Sequence, residues 1–123
     1  MSKSEQVATI HVVAYRKSAD MPIQVAVTPE LLDLTQFPKG PVTLQFKLDT
    51  VGYEFAGKGK AIVFTSPGSK RTFGPVKLDA KNRIATVRNK NADGLAFAYN
   101  VGVLEPSTGL HAFLDPIIQN NTP

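Results

Sequence analysis

Apolar and polar residues alternate along most of the chain. Residues 42–48 carry apolar side chains at the even positions and polar side chains at the odd positions. Residues 95–103 have apolar side chains at the odd positions and small ones between them, which leaves room for close packing on that side. Because successive side chains of a strand point to opposite faces, a period of two predicts strands with one buried face.

Shorter segments of the same character fill much of the remaining chain. They cover residues 6–16, 23–27, 60–66, 74–80, 82–89 and 110–120. Clusters of Pro, Gly, Asn, Asp and Ser lie between the segments, as turns require. The pattern predicts an all-β protein, an antiparallel β-sandwich of immunoglobulin-like, Greek-key type with about seven to nine strands.

Residues 29–34 are the one helical candidate. Thr28 has the side chain of an N-cap, Pro29 suits the first helical position, and Glu30 places an acid where the helix dipole favours it. We therefore expect at most one short helix, near residues 29–34.

Length and composition predict a single domain over residues 1–123, with flexible tails at about 1–5 and 120–123. Cysteine is absent, which excludes disulfides, thiolate metal sites and thiol nucleophiles. The first residues lack a basic segment followed by a long apolar run, so we expect no signal peptide and a cytoplasmic protein. The apolar runs are too short for a membrane helix, and no pattern requires a cofactor.

The formal net charge of +4 is concentrated in residues 58–90, which hold nine Lys or Arg and one acid, Asp79. Such a stretch attracts anions or nucleic acid. The candidate anion-binding residues are Lys58, Lys60, Lys70, Arg71, Arg83 and Arg88. Alternatively, these side chains only solvate strand surfaces and guard exposed edges. Nucleic-acid binding would add base stacking on Phe64 and Phe73, but the charge is modest and no single-strand-binding signature is present.

Residues 52–60 come close to the phosphate-binding loop GxxxxGK[ST]. Gly52, Gly57 and Lys58 have the correct spacing, but Gly59 has no hydroxyl to hold magnesium. The residues that follow have a strand pattern, so no helix N-terminus faces a phosphate. We interpret the segment as a flexible connection between two strands.

Residues 89–94 match the opening of a calcium-binding loop. Asn89, Asn91 and Asp93 occupy ligand positions, and Gly94 occupies the turn. Asn100 stands where such a loop needs a bidentate Glu, and strands replace the flanking helices. We expect the Asn and Asp side chains to cap the backbone of their own loop.

Candidate catalytic groups are few. His11 and His111 could meet only if the first and last strands pair, and a third partner is not evident. No Ser lies in a GxSxG context and no pair of carboxylates stands out. We therefore expect a protein that is not an enzyme. Trp is absent, and the remaining platforms for sugar stacking are Tyr15, Tyr53 and Phe73, for which core or edge packing is the alternative.

Tyr99 follows a strand and a short polar loop and lies early in the next long strand. This placement is typical of the tyrosine corner of immunoglobulin-like sandwiches, in which the hydroxyl bonds back to the preceding loop. A buried Tyr with another hydroxyl partner is the alternative.

Two acid–proline pairs lie near the C-terminus. Pro106 follows Glu105 and begins a turn that Gly109 completes, which predicts a hairpin. Pro116 follows Asp115 inside a strand pattern, where a missing amide is tolerated only at an edge or a bulge. We expect the last strand to be an edge at that point or to change partner, with Asp115 bonded to its own backbone.

With these pairs, and with "DPIIQN" after "FAYNVGV", the sequence resembles the DP-EP family of small uncharacterised bacterial proteins. The resemblance covers nearly the whole chain. It implies a bacterial β-sandwich of unknown function and transfers no catalytic residues; Glu105, Pro106, Asp115, Pro116 and Tyr99 are the structural signature.

The sequence thus favours a non-enzymatic module that binds a partner or itself, with a homo-oligomer formed through edge strands as one route. An anion- or nucleic-acid-binding module that uses residues 58–90 is the alternative, and an enzyme with an unrecognised site is the third choice.

Overall fold

A computed structural model describes residues 6–57 and 59–122. Within these ranges the chain forms a sandwich of two β-sheets with 11 strands and no closed barrel. The strands are β1 (Gln6–Tyr15), β2 (Gln24–Thr28), β3 (Leu31–Asp33), β4 (Val42–Leu48), β5 (Glu54–Phe55), β6 (Ile62–Phe64), β7 (Lys77–Leu78), β8 (Ile84–Asn89), β9 (Ala96–Glu105), β10 (Leu110–Leu114) and β11 (Ile117–Gln119). A 3-10 helix spans Leu34–Gln36, and a short helix, α1, spans Ser69–Thr72.

The five-stranded sheet has the order β2-β1-β4-β8-β7. β1 and β4 are parallel, whereas the other neighbours are antiparallel. Both β1 and β4 bury every second side chain. The even positions of 42–48 are therefore in the core, as the sequence predicts.

The six-stranded sheet is organised around β9. On one side of β9, β10 pairs with its C-terminal half and β11 with its N-terminal half, and β11 pairs in parallel with β3. On the other side, β5 and β6 pair with β9 in succession. β9 is therefore paired along both of its edges.

The core lies between the two sheets, and aromatic rings link them. Phe46 of the five-stranded sheet contacts Tyr99 of the six-stranded sheet edge to face, with ring centroids 5.6 Å apart. Phe97 meets Phe73 in the same manner at 5.1 Å. Edge-to-face contacts add to the stability gained from burial alone.

The all-β sandwich is confirmed, but three of its predicted details are wrong. Both sheets are mixed, not purely antiparallel, and the strands number 11 rather than seven to nine. Residues 31–33 form a strand in the region expected to be helical, because pairing with β11 buries Leu32. The cap chemistry lies further along the chain, where the Asp33 carboxylate accepts from the amide of Thr35 at 3.0 Å and starts the 3-10 helix.

The tail expected over residues 120–123 is also corrected. Asn120 is fully buried, and Asn121 is buried and hydrogen-bonded to the carbonyl of Phe37. Only Thr122 is exposed among the described residues of this segment. Residues 1–5 and Pro123 lie outside the described residues. No helix within the described ranges has the length and apolar character that a bilayer crossing requires.

Candidate binding surfaces

The outer face of the six-stranded sheet carries a row of apolar side chains, beside the polar Asn100, Glu54 and His111. Leu31 and Ile117 lie side by side on β3 and β11, and Ile117 also pairs with Ala98 of β9. Phe113 and Val63 continue the row on β10 and β6, opposite Gly102 and Asn100 of β9. We name this set the apolar face. Its members are Leu31, Val63, Ala98, Phe113 and Ile117, and the four large side chains are 37–57% exposed.

The phenyl ring of Phe113 packs against Gly102. A Cβ at this position would lie 2.8 Å from Cε1 of Phe113 and would overlap the carbonyl oxygen of Lys60. The glycine therefore lets the chain before β6 and the phenyl ring approach β9 closely. The phenyl ring remains 54% exposed on its outer side.

The outer face of the five-stranded sheet is mixed. It carries Val7 and Val13, but also Gln45, Lys47 and Arg88, on the exposed sides of β1, β4 and β8. Charged and amide side chains of this kind interrupt apolar surface and keep a sheet solvated. Both outer faces of the described chain thus include polar side chains, and the six-stranded sheet adds a contiguous row of exposed apolar ones.

Glu105 of the first acid–proline pair is buried and forms an ion pair. Its carboxylate accepts from the Arg16 guanidinium and from the Thr108 hydroxyl, each at 2.6 Å. The Glu105 and Arg16 side chains are only 10% and 12% exposed. The hydrogen bond from Thr108, with help from Tyr53 and Arg16, holds the pKa of Glu105 below its usual value despite an opposing effect of burial. Burial, followed by this carboxylate, raises the pKa of Tyr53.

Asp115 and Pro116 divide the last strand segment as predicted. β10 ends before them and β11 begins after them, and β11 gains the partner β3. The Pro116 carbonyl accepts from the amide of Tyr99 at 3.1 Å, so pairing with β9 continues across the break. Pro116 is buried and Asp115 is exposed. The expected hydrogen bond from Asp115 to its own backbone is wrong, since no hydrogen bond of its carboxylate is found among residues 6–57 and 59–122.

The tyrosine-corner prediction is wrong. Tyr99 is fully buried, and its hydroxyl has no hydrogen-bond partner in the described part of the chain. Burial raises the pKa of its phenol. The ring packs against Phe46 and Phe64, so the side chain acts as a core aromatic and does not anchor a loop.

The predicted anion-binding residues do not converge. Arg71, Lys60, Lys70 and Arg83 each line a different cavity. Arg83 also donates to the carbonyl of Leu48 at 2.7 Å, which ties its guanidinium to the end of β4. The separation follows from the topology, because these residues belong to different loops and to α1.

The other two of the six are Arg88 and Lys58. Arg88 projects from the outer face of the five-stranded sheet. Lys58 lies outside the described residues. The five described side chains therefore do not form a single site.

In the calcium-like loop Asn89 and Asp93 cap the backbone of their own loop, as predicted, whereas Asn91 donates to the carbonyl of Gly40 and accepts from the amide of Asn121. Asp93 accepts from the amide of Leu95 and Asn89 from the amide of Asn91. Asn89 and Asn120 exchange two side-chain hydrogen bonds, at 2.7 and 3.1 Å. Burial alone would raise the pKa of Asp93. The hydrogen bonds from Leu95, Thr72 and Asn120 together lower it by more, so the pKa lies below its ordinary value. The carboxylate oxygens that a cation would need are thus already engaged.

The phosphate-loop resemblance leads to a connection between strands, as interpreted. Gly52 and Gly59 have positive φ angles of 90° and 77° in the turns around β5 and before β6. The element that follows this connection is a strand and not a helix, because Ile62–Phe64 is β6. The segment therefore provides strand pairing with β9.

His11 and His111 lie on opposite outer faces of the sandwich. His11 is on β1 and its Nδ1 lies 2.9 Å from the exposed Asp49 carboxylate. His111 is on β10 and lines a cavity with Glu54 and Lys60. A shared histidine site is not formed. No cluster of three or more His, Cys, Asp or Glu suited to a metal ion occurs among the described residues.

The aromatic candidates have different environments. Phe64 and Phe73 stack on each other with centroids 3.8 Å apart, and Phe73 is buried. Tyr53 packs against the core and bonds to Glu105. Only Tyr15, at 50% exposure on the mixed face, presents a free ring surface.

Sequence reasoning missed Arg16 and Leu31. Arg16 reaches Glu105 across 89 residues, and Leu31 meets Ile117 only because β3 and β11 pair. The alternation of residues 95–103 was the available signal for the apolar face, since it predicted a side of β9 with small side chains. No family model matches the chain, and a search of curated proteins finds no significant match.

Proposed function

We propose that this protein is a non-enzymatic binding module that associates with a second copy of itself through the apolar face. The observation that carries the proposal is the row of exposed Leu31, Ile117, Phe113 and Val63 side chains on adjacent strands of one sheet. Contiguous exposed apolar surface is typical of interaction sites. The cysteine-free composition supports a cytoplasmic setting.

The chemistry of the apolar face favours a like surface as its occupant. A like surface offers exposed apolar side chains and no charge within the row itself. Ala98 is the small side chain of the row and pairs with Ile117. A two-fold arrangement would place Ile117 of one copy over Ala98 of the other, as an isologous contact requires.

Edge strands offer a poorer route to an oligomer. The first and last strands, which sequence reasoning favoured, are internal: β1 lies between β2 and β4, and β11 lies between β9 and β3. Within the described ranges the edge strands are β2 and β7 of the five-stranded sheet and β3, β5, β6 and β10 of the six-stranded sheet, and they have two to five residues each. Short edges resist strand addition, so face-to-face packing of two sheets is the better candidate.

Sedimentation velocity over protein concentrations from about 10 μM to 1 mM tests the proposal. We expect the wild type to change from monomer to dimer as concentration rises. Leu31→Lys and Ile117→Lys should remain monomeric, because each places a charge in the contact. Val7→Lys is a matched control: Val7 is 56% and Leu31 57% exposed, but Val7 lies on the mixed face.

A wild type that stays monomeric across this range would refute self-association. Equal loss of the dimer in Val7→Lys would move the contact away from the apolar face. Far-ultraviolet circular dichroism on all three variants checks that each is folded.

A further inference from the structure

A second surface, separate from the apolar face, is a cavity between α1 and the loop that joins β8 to β9. Its volume is about 290 Å³. This is near the lower end of ligand-pocket volumes, which favours small ligands. The lining residues are Pro67, Gly68, Arg71, Thr72, Lys90, Ala92, Asp93, Leu95 and Phe97.

The walls of the cavity are linked to each other. The Thr72 hydroxyl donates to the Asp93 carboxylate at 2.7 Å, and the Lys90 amide donates to the Thr72 carbonyl at 3.0 Å. These bonds join α1 to the β8–β9 loop from both sides. The distance between the walls is therefore fixed before any ligand binds, which lowers the entropic cost of binding.

Two cations stand on the opposing walls. Arg71 projects from α1 and Lys90 from the start of the loop, and both are exposed. Neither forms an ion pair within the described ranges. Asp93 is the one acid in the lining, and its two oxygens already accept from Thr72, Leu95 and Asn120. The cavity thus offers a net positive charge with donors available.

The floor of the cavity is apolar. Phe97 is 1% exposed and is held by an edge-to-face contact with Phe73. Leu95 is 55% exposed beside it, with Ala92 and Pro67 completing the lining. A ligand that fits has an anionic head for the two cations and an apolar body for this floor.

We infer that the cavity binds small carboxylates with an aromatic or short aliphatic body. A carboxylate suits Arg71 because the planar guanidinium can donate two parallel hydrogen bonds to its two oxygens. Lys90 on the other wall adds a point charge. The body then covers Leu95, which an inorganic anion would leave open to water.

A titration followed by 1H–15N correlation NMR tests this inference with benzoate as the probe. We expect saturable shifts of the Thr72, Leu95 and Phe97 amides, with Kd on the order of 1 mM. Arg71→Gln and Lys90→Gln should each weaken benzoate binding about tenfold, because each removes a charge-assisted hydrogen bond. Lys70→Gln is the matched control, since Lys70 is the neighbour of Arg71 on α1 but lines another cavity.

Two further probes test the contributions of the anionic head and of the apolar ring separately. Benzyl alcohol keeps the ring and lacks the charge, and inorganic phosphate keeps the charge and lacks the ring; both should bind more weakly than benzoate. The inference is overturned if benzoate gives no saturable shift at about 20 mM, if Lys70→Gln weakens binding as much as Arg71→Gln, or if phosphate binds as tightly. None of these results depends on self-association.

Discussion

The two acid–proline pairs are chemically alike but have opposite arrangements. In the first, Glu105 is buried in an ion pair and Pro106 is exposed in a turn. In the second, Asp115 is exposed and Pro116 is buried at a break in the strand. The acid stabilises the first pair, whereas the proline determines the structure of the second.

The difference comes from what the rest of the fold brings to each pair. Arg16, at the end of β1, reaches Glu105 and leaves its carboxylate almost no contact with water. At Asp115 no cation of the described chain is within ion-pair distance. A short motif therefore carries no fixed role, because its partners come from distant parts of the sequence.

The largest expected effect is that of Glu105→Ala. Removing the carboxylate leaves the Arg16 guanidinium, only 12% exposed, without its charge partner, and leaves the Thr108 hydroxyl without its acceptor. Breaking a buried pair from one side is strongly destabilising. We expect the Tm to fall by several degrees in a thermal unfolding experiment.

Asp115→Ala is the matched control for this change, and Glu105→Ala combined with Arg16→Ala completes a double-mutant cycle. The double variant should lose less stability than the sum of the single variants, because the two residues interact directly. If Glu105→Ala and Asp115→Ala lower the Tm equally, the contrast between the pairs is lost.

Pro116→Ala should have the second largest effect. The substitution removes buried ring atoms and gives the unfolded chain more conformational freedom at the break. We expect the free energy of unfolding to decrease by about 1 kcal/mol in urea denaturation. Pro106→Ala in the exposed turn serves as its control, and a larger loss there would reverse our assignment of the two prolines.

A pH series of Tm for the wild type and Glu105→Gln sharpens the comparison further. The folded pKa of Glu105 is lowered by its hydrogen bond from Thr108 and by its other partners. A lowered folded pKa stabilises the fold above the ordinary Glu value, and this stability is lost as pH falls through the folded value. Wild-type Tm should therefore drop more steeply than that of Glu105→Gln below about pH 4.3.

Other acids titrate in both proteins of this series. Asp79 and Asp93 also have lowered pKa values, because backbone amides and hydroxyls bond to their carboxylates. The difference between the two profiles of Tm against pH therefore gives the contribution of the Glu105 carboxylate. Parallel profiles would show that the Glu105 carboxylate contributes nothing that depends on its charge.

The smallest effects are expected for Asp115→Asn and Pro106→Ala. Both side chains are exposed, and surface substitutions without specific contacts change the free energy of unfolding by less than about 0.5 kcal/mol. Urea denaturation of each variant beside the wild type is sufficient to measure this. A decrease in the free energy of unfolding above about 1 kcal/mol in either variant would show that its side chain makes a contact absent from the structure.

The sequence predicts elements best where a strand alternates cleanly. Residues 42–48 and 96–105 became β4 and β9 with the expected buried faces. The capping of the 89–94 loop was also predicted, because Asn and Asp bond to amides two residues away. Residues 31–33 were not, since local propensity cannot reveal a partner strand at residues 117–119.

The candidate surfaces, too, were predictable from the sequence only in part. The small side of residues 95–103 was visible in the pattern, whereas the neighbours that make it the apolar face come from β3, β6, β10 and β11. The cavity between α1 and the 90–95 loop joins two segments about 20 residues apart. Of its lining, Arg71 was an anion-binding candidate, Lys90 belonged to the basic stretch and Asp93 was a candidate calcium ligand. The described members of the six basic candidates lie in one stretch of the sequence but do not share a cavity.

The sequence by itself determined the β class of this protein, its main strands and the loop that caps itself, because these depend on side-chain alternation and on hydrogen bonds between near neighbours. Only the tertiary structure decided which acid of the two pairs is buried, which outer face carries the contiguous apolar row and which cations share a cavity. Each of those depends on contacts between residues far apart in the chain, and the pairing order of the strands brings those residues together.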